Sequence, residues 1–171
     1  KSLYDLKDLK DKNSSIKALA YQLYENNGVL KRDNVSEYLK KLDQNDRKIL
    51  RDLGVKFGRY HVFLFKLIKP EPVSLRTLLW KNYNQKYFNL QPPTFGLNFL
   101  NDDKIQNINF MLLCGFEKFK NFYIRIDILE RLFMQIINSD TKDIKEIKII
   151  PEMLNLLGCK KDDFKQLLRA M

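Results

Sequence analysis

The chain has 171 residues, 44% hydrophobic and 30% charged, with twelve Phe and eight Tyr, which is enough for a packed core in one or two small domains and excludes a disordered chain. Its longest apolar run, Phe110 to Cys114, is far short of the roughly 20 residues that a membrane-spanning helix requires. The formal charge is +10, of which +8 lies in the single stretch from Arg47 to Lys86, where ten Lys/Arg stand against Asp52 and Glu71, while the flanks are nearly balanced.

Taken in chain order, Leu3, Leu6 and Leu9 recur three apart between charges, as on a short amphipathic turn. Asn13, Ser14 and Ser15 offer N-caps for a helix bearing Ile16, Leu19, Ala20, Leu23 and Tyr24, with Gly28 placed to end it. Asp33 or Asn34 can cap a second short helix through Val35, Tyr38, Leu39 and Leu42. Asp43 is the next cap, with Ile49, Leu50 and Leu53 facing inward up to Gly54. VKFGRY alternates like a strand, whereas HVFLFKLIK has too few polar gaps to show a period. Pro70 and Pro72 then predict a helix from about Pro72 or Val73, which carries Val73, Leu75, Leu78, Leu79 and Tyr83.

From Asn84 the composition turns to Asn, Gln, Pro and Gly, which reads as a linker. Beyond it, Ile105, Ile108, Met111 and Leu112 predict a short helix ended by Gly115, and FEKFKNFYIRIDI alternates as a strand or hairpin does. A helix over Ile128–Asn138 with Asp127 as cap, a brief alternation in KEIKII, a helix from Pro151 to Gly158 and a last helix through Phe164, Leu167 and Leu168 complete the chain. The fold class is mainly α: a helical bundle over residues 1–84, a linker over 85–101, and over 102–171 a small α+β, winged-helix-like unit.

Chemistry for catalysis is sparse. His61 is the only imidazole and sits in an apolar run, as a hydrogen-bonded core histidine does. No GxxxxGK[ST] or GxGxxG motif is present. Gly54 and Gly58, four apart beside Lys56 and Arg59, could admit a phosphate closely or simply form a helix C-cap and a turn. Cys114 and Cys159 lie far apart with no CxxC and no neighbouring His, a pattern that predicts reduced thiols in a cytoplasmic protein and neither a metal site nor a disulfide. The chain starts at Lys1 without a visible secretory signal, and its start resembles a cut within a longer protein.

A local basic excess suits a polyanion, since each Lys or Arg that neutralises a phosphate releases a counterion. The same residues could equally be a solvated helix face. Within the stretch the candidates for backbone phosphate contact are Arg51, Lys56, Arg59, Lys66, Lys69, Arg76 and Lys81. Tyr60, Tyr83 and Tyr87 are the candidates for stacking on unpaired bases.

The run LDQNDRKILRDLGVKFGRYHVFLFKLIKPEPVSLRTLLW, preceded by ALAYQLYENNGVL and followed by RIDILERL and PEMLNLLGCKKDDFKQLLRAM, resembles the C-terminal region of alphaproteobacterial superfamily II helicases. These are relatives of the RNA helicase of the mitochondrial degradosome. The likeness covers about residues 14 to 171 and is most specific from Leu42 to Trp80. It implies a parent protein with two RecA-like motor domains that hydrolyse ATP with Mg and translocate on RNA or DNA, motors that lie outside these residues. It also implies that this region packs against the motors and helps to enclose the strand. Phe65 stands where the family's FLPALLKP-like run has Pro, and Lys replaces many of the family's Arg. Lys keeps the charge but lacks the bidentate fork, which favours sequence-independent contact with single-stranded RNA or DNA. No catalytic or cofactor-binding residue of the family maps here. The expectation is an accessory helicase region that contacts nucleic-acid backbone; the alternative is a module that docks on the motor domains or on a nuclease partner.

Overall fold

The computed structural model describes residues 2–7, 9, 14–101, 107–138 and 149–171. The protein is mainly helical and divides into two compact units, Lys1–Phe88 and Asn89–Met171, each with a three-stranded antiparallel sheet.

The first unit opens with α1 (Ser2–Lys7) and α2 (Ser14–Glu25). Ile16, Leu19, Ala20 and Leu23 recur at helical spacing on α2 and all four are buried. Burying a full aliphatic side chain contributes about 2 kcal/mol, so this face alone commits the segment to the core. Asn13 lies outside the described residues. The helix stops where Gly28 takes φ +81 and its N–H returns to the Leu23 carbonyl at 2.6 Å, a left-handed C-terminal turn that glycine adopts without strain. The strand β1 (Val29–Lys31) follows, then a 3-10 turn over Asp33–Val35 that runs into α3 (Ser36–Lys40). Asp33 and Asn34 thus sit inside that turn, and no side chain caps α3. Asp43 does cap α4 (Gln44–Asp52), in a capping box. Its Oδ1 accepts from the Asp46 N–H at 2.7 Å while Asp46 Oδ2 accepts from the Asp43 N–H at 3.3 Å.

Gly54, at φ +91, turns the chain into β2 (Val55–Phe57), which is followed by β3 (His61–Leu64). The sheet order is β1-β3-β2, with Val29 opposite Phe63, Leu30 opposite Val62, and Lys56 opposite Phe63. Because side chains alternate between faces, Leu30, Val55, Val62 and Leu64 share one face. They join Leu19, Leu23, Leu39 and Leu50 in a single core. Val29, His61 and Phe63 are also buried, on the opposite face. The expected bundle is therefore helices packed on a small sheet. Its strands are only three or four residues long, too short to display a period of two in the sequence.

A 3-10 turn over Phe65–Ile68 leads to α5 (Pro70–Tyr83), which begins two or three residues earlier than expected. Proline is at home there, because its missing N–H falls in the first turn, where no intrahelical partner exists. The buried residues of α5 are Val73, Arg76 and Thr77. Leu75, Leu78 and Leu79 are exposed at 58, 55 and 49%, and Tyr83 at 89%. Of the apolar residues carried by this helix, Val73 is therefore turned inward, while the three leucines and Tyr83 are turned outward.

In the second unit, residues 99–101, which fell in the expected linker, form β4 (Phe99–Asn101). Then come α6 (Ile108–Leu113), the hairpin of β5 (Phe116–Phe119) and β6 (Phe122–Arg125), α7 (Ile126–Asn138), α8 (Pro151–Leu157) and α9 (Lys161–Leu168). The sheet order is β4-β6-β5, with Phe99 opposite Ile124 and Phe119 opposite Phe122. Asn107 caps α6 through Oδ1, which accepts from the Phe110 N–H. Since α7 starts at Ile126, Asp127 lies in its first turn and does not cap it; its carboxylate is gripped by Arg125 Nε at 2.6 Å and Nη2 at 3.1 Å. Asn98 Nδ2 donates to the Leu156 carbonyl, tying the segment before β4 to α8. Phe110, Met111, Tyr123, Leu129, Met153, Phe164 and Leu167 are buried. Ile105 and most of KEIKII lie outside the described residues.

Candidate nucleic-acid interface

The local folding of the basic stretch decides which of its cations face solvent. Arg51 is exposed in the last turn of α4. Its guanidinium stands 5.7 Å from the centre of the Phe57 ring, and that of Arg47 stands at the same distance. Arg47 also donates from Nη2 to the Leu39 carbonyl at 2.7 Å. The Phe57 ring thereby holds two cations beside β2 through its negative face. Lys56 is exposed on β2, an edge strand of the sheet. Arg59 and Tyr60 form the tip between β2 and β3, where the Gly58 N–H donates to the His61 carbonyl at 2.8 Å. Arg32, just past β1, braces this tip: Nη1 donates to the Gly58 carbonyl at 2.7 Å and its backbone N–H to the Tyr60 carbonyl at 2.8 Å. Arg59 is exposed, whereas Tyr60 is half-buried. Gly54 serves as the turn after α4, so the paired glycines form a helix end and a hairpin, with Lys56 and Arg59 projecting from them.

Lys66 and Lys69 are exposed around the 3-10 turn after β3, and Lys69 Nζ lies 4.2 Å from the centre of the Phe65 ring. Arg76 is different. It is 8% exposed, on the buried face of α5, and Nη1 donates to the Leu67 carbonyl at 2.7 Å. Its role as a phosphate contact is therefore corrected to that of a bridge between α5 and the preceding turn. Lys81 is half-buried. Of the three candidate stacking rings, Tyr83 alone is fully presented to solvent. Tyr87 is half-buried and stacks on Trp80, with ring centres 5.5 Å apart and planes inclined by 21°. Lys86 Nζ stands 4.7 Å from the Tyr87 ring centre.

Among the described residues no carboxylate forms an ion pair with Arg51, Lys56, Lys66 or Lys69. Among the described residues their charge is left un-neutralised and faces solvent. Lys48 and Lys86 are also exposed and were not among the candidates. The signal for Lys48 was its place three residues before Arg51, on the same side of a helix.

His61 is 1% exposed in β3. Cys114 is buried, and burial pushes the Cys159 thiol up to about 11, with Asp163 adding to the shift, so little nucleophilic thiolate forms near neutral pH. Among the described residues no three His, Cys, Asp or Glu side chains come together as a metal would require, and no helix is long and apolar enough to cross a membrane. Comparison of the chain with protein-family models, with curated proteins and with solved structures finds no match.

Proposed function

We propose that the first unit holds the phosphate backbone of single-stranded RNA or DNA without reading its sequence. The observation that carries this reading is the set of exposed cations Arg51, Lys56, Lys66 and Lys69, on α4, on β2 and on the turn after β3, with no ion-paired carboxylate among the described residues. Lysine presents a compact point charge on a flexible stem, suited to phosphate and poorly suited to bidentate base readout. Tyr83 adds one ring able to stack on an unpaired base.

The chain then serves as the accessory C-terminal region of an ATP-dependent helicase. ATP and Mg belong to motor domains outside these residues. This placement rests on the resemblance carried by Leu42 to Trp80, and a cytoplasmic location accords with the two free cysteines. The test is fluorescence anisotropy of labelled single-stranded RNA and DNA at several salt concentrations. Removal of one cation that neutralises a phosphate should flatten the slope of log affinity against log salt by about 0.7, so Lys56→Ala with Lys66→Ala should remove roughly 1.4. An unchanged slope and affinity would exclude these residues from the interface.

A further inference from the structure

The helix α5 is amphipathic in an unusual sense. Val73, Arg76 and Thr77 are turned inward, while Leu75, Leu78 and Leu79 are exposed at i, i+3 and i+4. Single exposed leucines are ordinary, but three on one helical stripe, extended one turn further by Tyr83, form a continuous apolar surface. That spacing is the one by which a second helix is gripped, as anchors at i, i+3, i+4 and i+7 interdigitate. The charge around the stripe is mainly positive, with the exposed Glu71 one turn before Leu75 as the exception. Between Phe65 and Phe88 the cations are Lys66, Lys69, Arg76, Lys81 and Lys86, and the only acid is Glu71. With Arg76 inside, Lys69 stands exposed immediately before α5 and Lys86 exposed just beyond its end.

We infer that the outward face of α5 is a docking site for an acidic amphipathic helix of a partner protein. Leucine-type anchors of that helix would cover Leu75, Leu78 and Leu79, and its flanking carboxylates would meet Lys69 and Lys86. A second copy of this chain fits worse, since pairing two α5 faces would bring together two stretches of the same positive sign. The docking shares Lys69 and Tyr83 with the proposed nucleic-acid contact, but its leucine anchors are separate from Arg51, Lys56 and Lys66.

The test uses the full chain and two synthetic helical peptides of about 20 residues, each with leucine at i, i+3, i+4 and i+7, one flanked by Glu and the other by Lys. Calorimetric titration should give micromolar binding of the acidic peptide and at least about tenfold weaker binding of the basic one. Leu78→Ser with Leu79→Ser should weaken the acidic peptide by about tenfold or more, leaving circular dichroism and RNA affinity unchanged. Lys69→Glu with Lys86→Glu should abolish the preference for the acidic peptide. Equal binding of the two peptides, or binding of neither, would overturn the inference. So would a monomer–dimer equilibrium, or adsorption to phosphatidylserine-containing vesicles, that the leucine variant abolishes.

Discussion

Arg76 Nη1 donates to the Leu67 carbonyl at 2.7 Å, across the corner where the 3-10 turn after β3 becomes α5. This bond explains how α5 can bury an arginine and expose three leucines. The guanidinium satisfies a backbone carbonyl at a place where no ladder partner is available, and a leucine there could not.

The expected cost of Arg76→Ala is therefore structural. A charge-assisted hydrogen bond and its buried packing disappear together, so stability should fall by about 2 kcal/mol in urea unfolding. RNA affinity of the folded protein should be unchanged. A variant of normal stability with weakened RNA binding would return Arg76 to the interface.

Tyr83 and Tyr87 should behave oppositely. Tyr83 is 89% exposed, whereas Tyr87 stacks on Trp80, the only tryptophan of the chain. Tyr83→Ala should weaken single-stranded RNA by about 1 kcal/mol, roughly fivefold, with little change in tryptophan emission. Tyr87→Ala should shift Trp80 emission to the red and leave RNA affinity nearly unaltered. Anisotropy and intrinsic fluorescence on the same samples decide between them.

Gly28→Ala should destabilise the first unit chiefly through its backbone, with a smaller contribution from moving the Leu67 side-chain end. The residue sits at φ +81, and an added Cβ would fall 2.5 Å from Leu67 Cδ1 and 3.2 Å from Leu64 Cδ1. Conformational strain alone costs about 1–2 kcal/mol, and displacement of Leu67 adds to it. Gly96→Ala, at φ +96 with nothing within 4 Å of the new methyl, carries only the conformational part. The two lie in different units, so the losses of unfolding free energy, each read from its own unit's transition, are compared, and their difference gives the packing contribution at Gly28.

Cys159 should be a slow thiol. Desolvation is the main cause of its rise to about 11, Asp163 adds to it, and a backbone hydrogen bond opposes both. Alkylation followed by mass spectrometry should be slow at pH 8 and quicken about tenfold per pH unit toward about 11, and Asp163→Asn should accelerate it at each pH. In the unfolded chain the thiol ionises near 8.5. The unfolded state thus releases its proton first, and this group's contribution to stability is complete below that pH and declines as pH rises toward about 11.

The reach of sequence reasoning differed sharply among the elements. The inward face of α2, the Asp43 cap, the Pro151 start and the Gly158 stop of α8 were all legible, because each depends on residues within one or two turns. The hairpin of β5 and β6 was legible for the same reason, since its strands are neighbours in sequence. In contrast, β1 is three residues, VLK, and becomes a strand only because β3 lies beside it. Phe99–Asn101 carries no stronger signal, and pairs with β6 across twenty intervening residues. The orientation of α5 was legible least of all: its apolar spacing is helical on either face, and a hydrogen bond to Leu67 selected the polar one.

By itself the sequence determined the concentration of charge between Arg47 and Lys86, the helical character of the chain and most of its caps, because composition and local spacing need no partner. Only the tertiary structure decided which of those cations are available: Arg51, Lys56, Lys66 and Lys69 outside, Arg76 inside, and three leucines turned to solvent. Exposure is a property of what packs against a residue. Sheet pairing and the Arg76–Leu67 bond join segments whose relation is set by the whole core, and no local pattern encodes it.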